Sequence, residues 1–146
     1  MQHPAACLAA FLMLYGASVA SATAQGLAVE DAWIRATPGA DVAAAYLTLH
    51  NQSNQPLTVV GVRSPLAAHA MIHESRLVNG QSTMRPLERL RIGPADTVRF
   101  APGGLHVMLQ ELAHSLTPGE QVPLVLLLDG GGTLKLTARV RALGGE

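Results

Sequence analysis

Soft and borderline metal donors crowd into one stretch of this sequence. Beyond residue 24 the 146-residue chain has three methionines, Met71, Met84 and Met108, and five histidines, His50, His69, His73, His106 and His114. All three methionines and three of the histidines lie between residues 69 and 108. The single cysteine, Cys7, falls in an N-terminal segment that reads as a leader, so the remainder has no thiol to offer. Thioether sulfur and imidazole nitrogen together suit Cu(I) better than the hard, oxygen-seeking ions. Zinc is less well served, because its sites use thiolate, imidazole and carboxylate rather than thioether. Enzymatic readings find little footing: there is no G-x-S-x-G and no H-E-x-x-H, and His73-Glu74 is followed by Leu77 where a second histidine would be needed.

The elements that must position these residues are short strands. Residues 1–24 contain no Asp, Glu, Lys or Arg, and the apolar span from Ala5 to Ala20 is too short to cross a bilayer comfortably. It runs into Ala22-Thr23-Ala24, the small-x-small pattern of a signal-peptidase site, so residues 1–24 read as a secretory signal peptide. Residues 25–146 are then a single domain, exported and free of any stretch of transmembrane length. Its ten basic and ten acidic residues cancel without a run of like charge, which argues against nucleic acid or anionic lipid as a partner.

Gly, Pro and Asn punctuate the chain every eight to twelve residues, the spacing of an all-β domain. Candidate strands are Ala28 to Ala36, Ala43 to Asn51, Leu57 to Arg63, Ala68 to Leu77, Met84 to Leu87, Thr97 to Phe100, Leu105 to Glu111, Gln121 to Leu128 and Thr133 to Arg141. A two-sheet antiparallel sandwich or Greek-key barrel would cover both apolar faces of so many short strands.

Strand periodicity sorts the donors. His106 and Met108 are two apart and share a face of one strand; His69, Met71 and His73 do so on another. Asn79-Gly80 is a strong two-residue hairpin signal that pairs Val78 with Gln81, Ser75 with Met84 and His73 with Pro86. Met84 is then a diagonal neighbour of His73, roughly 7–8 Å away at Cα, a span that two long side chains can bridge through one metal.

The spacing His73, ten residues, Met84, twenty-one residues, His106, one residue, Met108 resembles the H-x10-M-x21-H-x-M motif of the periplasmic copper chaperones called the PCu(A)C family. Flanking text agrees: Ala32-Trp33-Ile34-Arg35-Ala36-Thr37-Pro38, Ala44-Ala45-Tyr46-Leu47-Thr48-Leu49, Met84-Arg85-Pro86 and Pro102-Gly103-Gly104-Leu105-His106-Val107-Met108-Leu109 are similar to family segments. The resemblance implies a cupredoxin-like β-barrel that binds Cu(I) through His73, Met84, His106 and Met108. It also implies a periplasmic carrier for the CuA centre of cytochrome c oxidase subunit II, working beside Sco-type copper proteins. Some relatives carry a His- and Met-rich tail for Cu(II); here residues 139–146 contain neither residue type, so that second site is not matched.

Other readings stand beside the carrier: a periplasmic copper buffer or resistance protein, and a metal-free β-sandwich whose His and Met are structural. His69 and Met71 share the face of His73 and read as ordinary strand residues, with an accessory role left open. His50 and His114 read as loop or surface residues, and Trp33 as core rather than a cation–π lid over copper. Docking of a partner is expected near Pro102-Gly103-Gly104, because transfer needs the metal close to the surface.

Overall fold

Alternation in the sequence becomes alternation in burial. In the computed structural model, which describes residues 22–24 and 26–143, Leu134, Leu136, Ala138 and Val140 are buried and the residues between them face solvent. A pleated strand gives every second side chain to each face, so this strand can serve only one core.

Eleven strands form among the described residues: β1 (Ala22–Ala24), β2 (Leu27–Ala36), β3 (Val42–Asn51), β4 (Leu57–Arg63), β5 (Ala67–Val78), β6 (Gln81–Pro86), β7 (Leu90–Ile92), β8 (Thr97–Arg99), β9 (Leu105–Leu112), β10 (Gln121–Leu128) and β11 (Thr133–Arg141). No helix occurs among the described residues, and the fold is all-β as expected. All nine expected strands are present. The two further ones, β1 and β7, are three residues each, too short to show a period. The leader expected over residues 1–24 lies outside the described residues except for 22–24, whose backbone pairs with Leu27–Val29.

Hydrogen bonding joins every strand into one sheet in the order β6-β5-β9-β3-β2-β11-β10-β4-β7, with β1 added to β2 and β8 to β3. Ile72 of β5, Leu109 of β9, Leu49 of β3, Ile34 of β2, Leu136 of β11, Leu126 of β10 and Val59 of β4 all belong to one buried cluster. A flat sheet could not bring its distant strands to a common core, so the sheet wraps around it as an open barrel. All pairings are antiparallel except β11 with β2, where Arg139–Arg141 run alongside Trp33–Arg35. Strand β3 bridges two regions, pairing with β9 through Val42–Ala45 and with β8 through Thr48–His50.

At the end of β3 the wholly buried Asn51 ties several segments together. Its Nδ2 donates to the carbonyls of Gln55 (2.7 Å), Ile92 (3.1 Å) and Gly93 (3.1 Å), while its Oδ1 accepts from the backbone N–H and hydroxyl of Ser53. A buried amide is tolerated only with its hydrogen bonds made, and here both ends are engaged.

Candidate metal centre

The site is built on three neighbouring strands. Asn79 and Gly80 have φ of 50° and 76°, the left-handed pair that closes a two-residue hairpin with the twist of its strands. The resulting register between β5 and β6 is the expected one: Val78 opposite Gln81, Ser75 opposite Met84 and His73 opposite Pro86. Glu74 locks the two strands together, accepting from Arg85 at 2.7 Å across the hairpin and from Arg76 at 2.9 Å. These guanidinium hydrogen bonds, Arg76 first, hold the Glu74 carboxyl below its ordinary value.

On its other edge β5 meets β9, and this pairing decides the site. His73 lies directly opposite His106, Met71 opposite Met108 and His69 opposite Gln110. The intervening residues Ile72, Val107 and Leu109 point into the core. The donors therefore occupy the outward face of β6-β5-β9, with Met84 and Met108 diagonal to His73 on opposite sides. None of the three methionines belongs to the core cluster or packs against it.

The two imidazoles are held differently. His106 is only 5% exposed, and its Nδ1 lies 3.1 Å from the Gly104 carbonyl oxygen. A carbonyl can only accept, so Nδ1 carries the proton and Nε2 keeps its lone pair for a ligand. The same carbonyl accepts the Ser75 N–H at 3.1 Å, which ties the Pro102-Gly103-Gly104 loop leading into β9 to strand β5. His73 meets His106 edge to face, with ring centroids 5.7 Å apart at 88°. Its Nδ1 is buried and has no hydrogen-bond partner among the described residues. Burial, and then the nearby His106, push the His73 pKa below its ordinary value and favour the neutral imidazole.

An unsatisfied buried nitrogen beside an imidazole with a free lone pair fits a metal better than a structural role. Among the described residues no group of three or more His, Cys, Asp or Glu side chains could hold an ion. The set of two imidazoles and two thioethers on this face fits Cu(I).

The other histidines among the described residues are elsewhere or otherwise engaged. His50 lies within β3, its Nδ1 2.8 Å from the Thr97 hydroxyl, and His114 sits 2.7 Å from a Glu120 carboxylate oxygen. His69 is exposed and 3.6 Å from Glu111. Trp33 is not core. It is half-buried, stacked on Tyr46 at 4.6 Å and covered by the Arg141 guanidinium at 4.9 Å, while its neighbour Ile34 takes the inward position. Sequence patterning had no signal for the shared Gly104 carbonyl or for the Met71–Met108 pairing, because each depends on which strand lies beside β5.

A family model described as "Putative lipoprotein LpqE-like" matches residues 27–140. "Putative lipoprotein Lxx21020" of Leifsonia xyli subsp. xyli is 32% identical over 123 residues, covering 84% of this chain and 74% of that protein. Among solved structures, the copper-bound PCuAC domain from PmoF2 superposes with a TM-score of 0.71 at 22% identity, over 85% of this chain and 99% of that domain, a likeness of fold. The apo form of DR1885 from Deinococcus radiodurans gives a TM-score of 0.65 at 32% identity, covering 99% of this chain and 98% of that one. Its Cu(I) form gives 0.60 at 33% identity, over 87% and 83%.

Proposed function

Because the chain belongs to the LpqE-like family and shares the fold of the PCuAC domains, we propose that it is a copper carrier, not an enzyme, holding one Cu(I) between His73, Met84, His106 and Met108. The observation that carries this reading is the cross-strand placement of His73 against His106, with the buried His73 Nδ1 left without a partner. The copper-bound and Cu(I) forms of its structural neighbours support the choice of metal.

The ligand set suits a carrier. Neutral imidazoles and thioethers add no negative charge, so the bound ion stays cationic and its ligands exchange more readily than those of a thiolate cage. Methionine also escapes the disulfide formation that would disable paired thiols in an oxidising compartment. The sites of the two methionines differ: Met108 is half-buried on β9, whereas Met84 is 53% exposed on β6, a strand exposed at every residue. Met84 is the ligand that an acceptor protein meets first.

Delivery to the CuA centre of cytochrome c oxidase subunit II, beside Sco-type copper proteins, is the destination we assign. The location is the periplasm, with residues 1–24 as signal peptide; the lipoprotein description of the family and of its Leifsonia relative supports an envelope location. Copper buffering is the competing role for the same site. Titration of Cu(I) against a chromogenic chelator tests binding: one tight equivalent is expected, weakened in Met84→Ala and His106→Ala. Parent-like binding by both variants refutes the site. Deleting the protein separates the roles: oxidase activity lost under copper limitation means delivery, and copper sensitivity alone means buffering.

A further inference from the structure

We propose that Met71 is a fifth, exchangeable Cu(I) ligand, whose thioether replaces that of Met84 when Met84 turns outward. This rests on the copper reading above and extends it by one residue. Met71 lies directly opposite Met108 and two residues from His73, on the same outward face as both. The two imidazoles are thus flanked by Met71 and Met108 on one side and by Met84 on the other. Core filling does not explain Met71, since the inward residue of this segment is Ile72, 2% exposed, and Met71 lies outside the core cluster.

Position in the sheet separates the two thioethers. Among the described residues β6 is the terminal strand of the sheet, so Met84 is held by a hairpin paired there on one edge only. Met71 stands on β5, a strand with a neighbour on each side; at Met71 itself the pairing is with Met108 of β9, the β6 pairing beginning at His73, and Met71 is half-buried. On the far side of Met108 the residue opposite is Ala44, a small side chain that leaves the β9 thioether uncrowded. The exchange is balanced: one Cu–S bond to Met84 breaks as one to Met71 forms, the copper remains Cu(I), and no proton moves because a thioether does not ionise. Copper then stays bound by two imidazoles and two thioethers while the exposed side of the site opens to an acceptor. His69, exposed and drawn towards Glu111, takes no part.

The test uses the full protein in its exported form, with Met71→Leu, Met84→Leu and the double variant, which keep side-chain volume and apolarity. Cu(I) affinity is measured by chelator competition, and sulfur neighbours are counted by X-ray absorption at the copper edge. Met84→Leu is expected to retain one equivalent of Cu(I) with two sulfur neighbours. The double variant is expected to lose on the order of tenfold more affinity than the product of the two single effects, the non-additivity of groups sharing one partner. Multiplicative single effects, or one sulfur neighbour in copper-loaded Met84→Leu, overturn the proposal and leave the four-ligand site intact. A parent protein that fails to bind one tight equivalent overturns the copper reading and this inference with it.

Discussion

Replacing His73 by Phe should make the copper-free protein more stable and the copper-loaded protein less so. His73 Nδ1 is buried without a partner, and a buried polar atom left unsatisfied costs about 1–3 kcal/mol. Phe keeps a ring against His106 at the present 5.7 Å edge contact but has no nitrogen to desolvate. Because the His73 ring as a whole is only half-buried, the lower end applies, and a gain of about 1 kcal/mol is expected. With a urea slope of about 1–2 kcal/mol per molar, the unfolding midpoint of the copper-free variant should rise by about 0.5–1 M. Excess Cu(I) reverses the order. At a free concentration one hundred times Kd the parent gains about 2.7 kcal/mol from binding, and the variant, lacking a ligand, gains far less. Urea unfolding followed by circular dichroism, with and without Cu(I), reads both halves. The reasoning is refuted if copper-free His73→Phe is less stable than the parent, or if Cu(I) stabilises the two equally.

Cu(I) affinity should be level above neutrality and fall in acid. The neutral imidazole is the binding form, and burial lowers the His73 pKa from its ordinary 6.5, so proton competition at His73 begins only below that value; an affinity constant from pH 5 to 8 would contradict the assignment. Gly80→Val places a branched side chain at φ +76°, which should cost about 1–2 kcal/mol and weaken Cu(I) binding towards that of Met84→Ala by loosening the hairpin. Chelator competition checks that, with Gly103→Ala as a comparison at the other loop of the site. Asn51→Ala removes the amide that binds the Gln55, Ile92 and Gly93 carbonyls. At about 1 kcal/mol for each hydrogen bond that cannot be replaced by water, a loss of about 2–4 kcal/mol is expected in urea unfolding, with unchanged Cu(I) affinity.

Several parts of the site were legible because they depend on local rules. The period of two put His106 with Met108, and Met71 with His73, on common strand faces, as the pairing of β5 with β9 confirms. Asn79-Gly80 fixed the hairpin register to the residue, since both positions need positive φ and few other dipeptides supply it. Trp33 departs from the core position that strand logic assigns it. An aromatic residue in a strand suggests core, but the register shift in β2 between Glu30 and Trp33, with Asp31 at φ 51°, leaves Ile34 inward and Trp33 outward.

The sequence by itself determined the donor types, their faces and the hairpin that joins His73 to Met84, because each follows from chemistry or from residues near in the chain. It could not determine that His73 would face His106 across β5 and β9, thirty-three positions apart. Strand neighbours so distant are chosen by how the whole sheet wraps its core, a global packing outcome. Only that wrapping made Met71 a neighbour of Met108, brought the Ser75 N–H to the Gly104 carbonyl that orients His106, and left one buried nitrogen of His73 without a partner among the described residues.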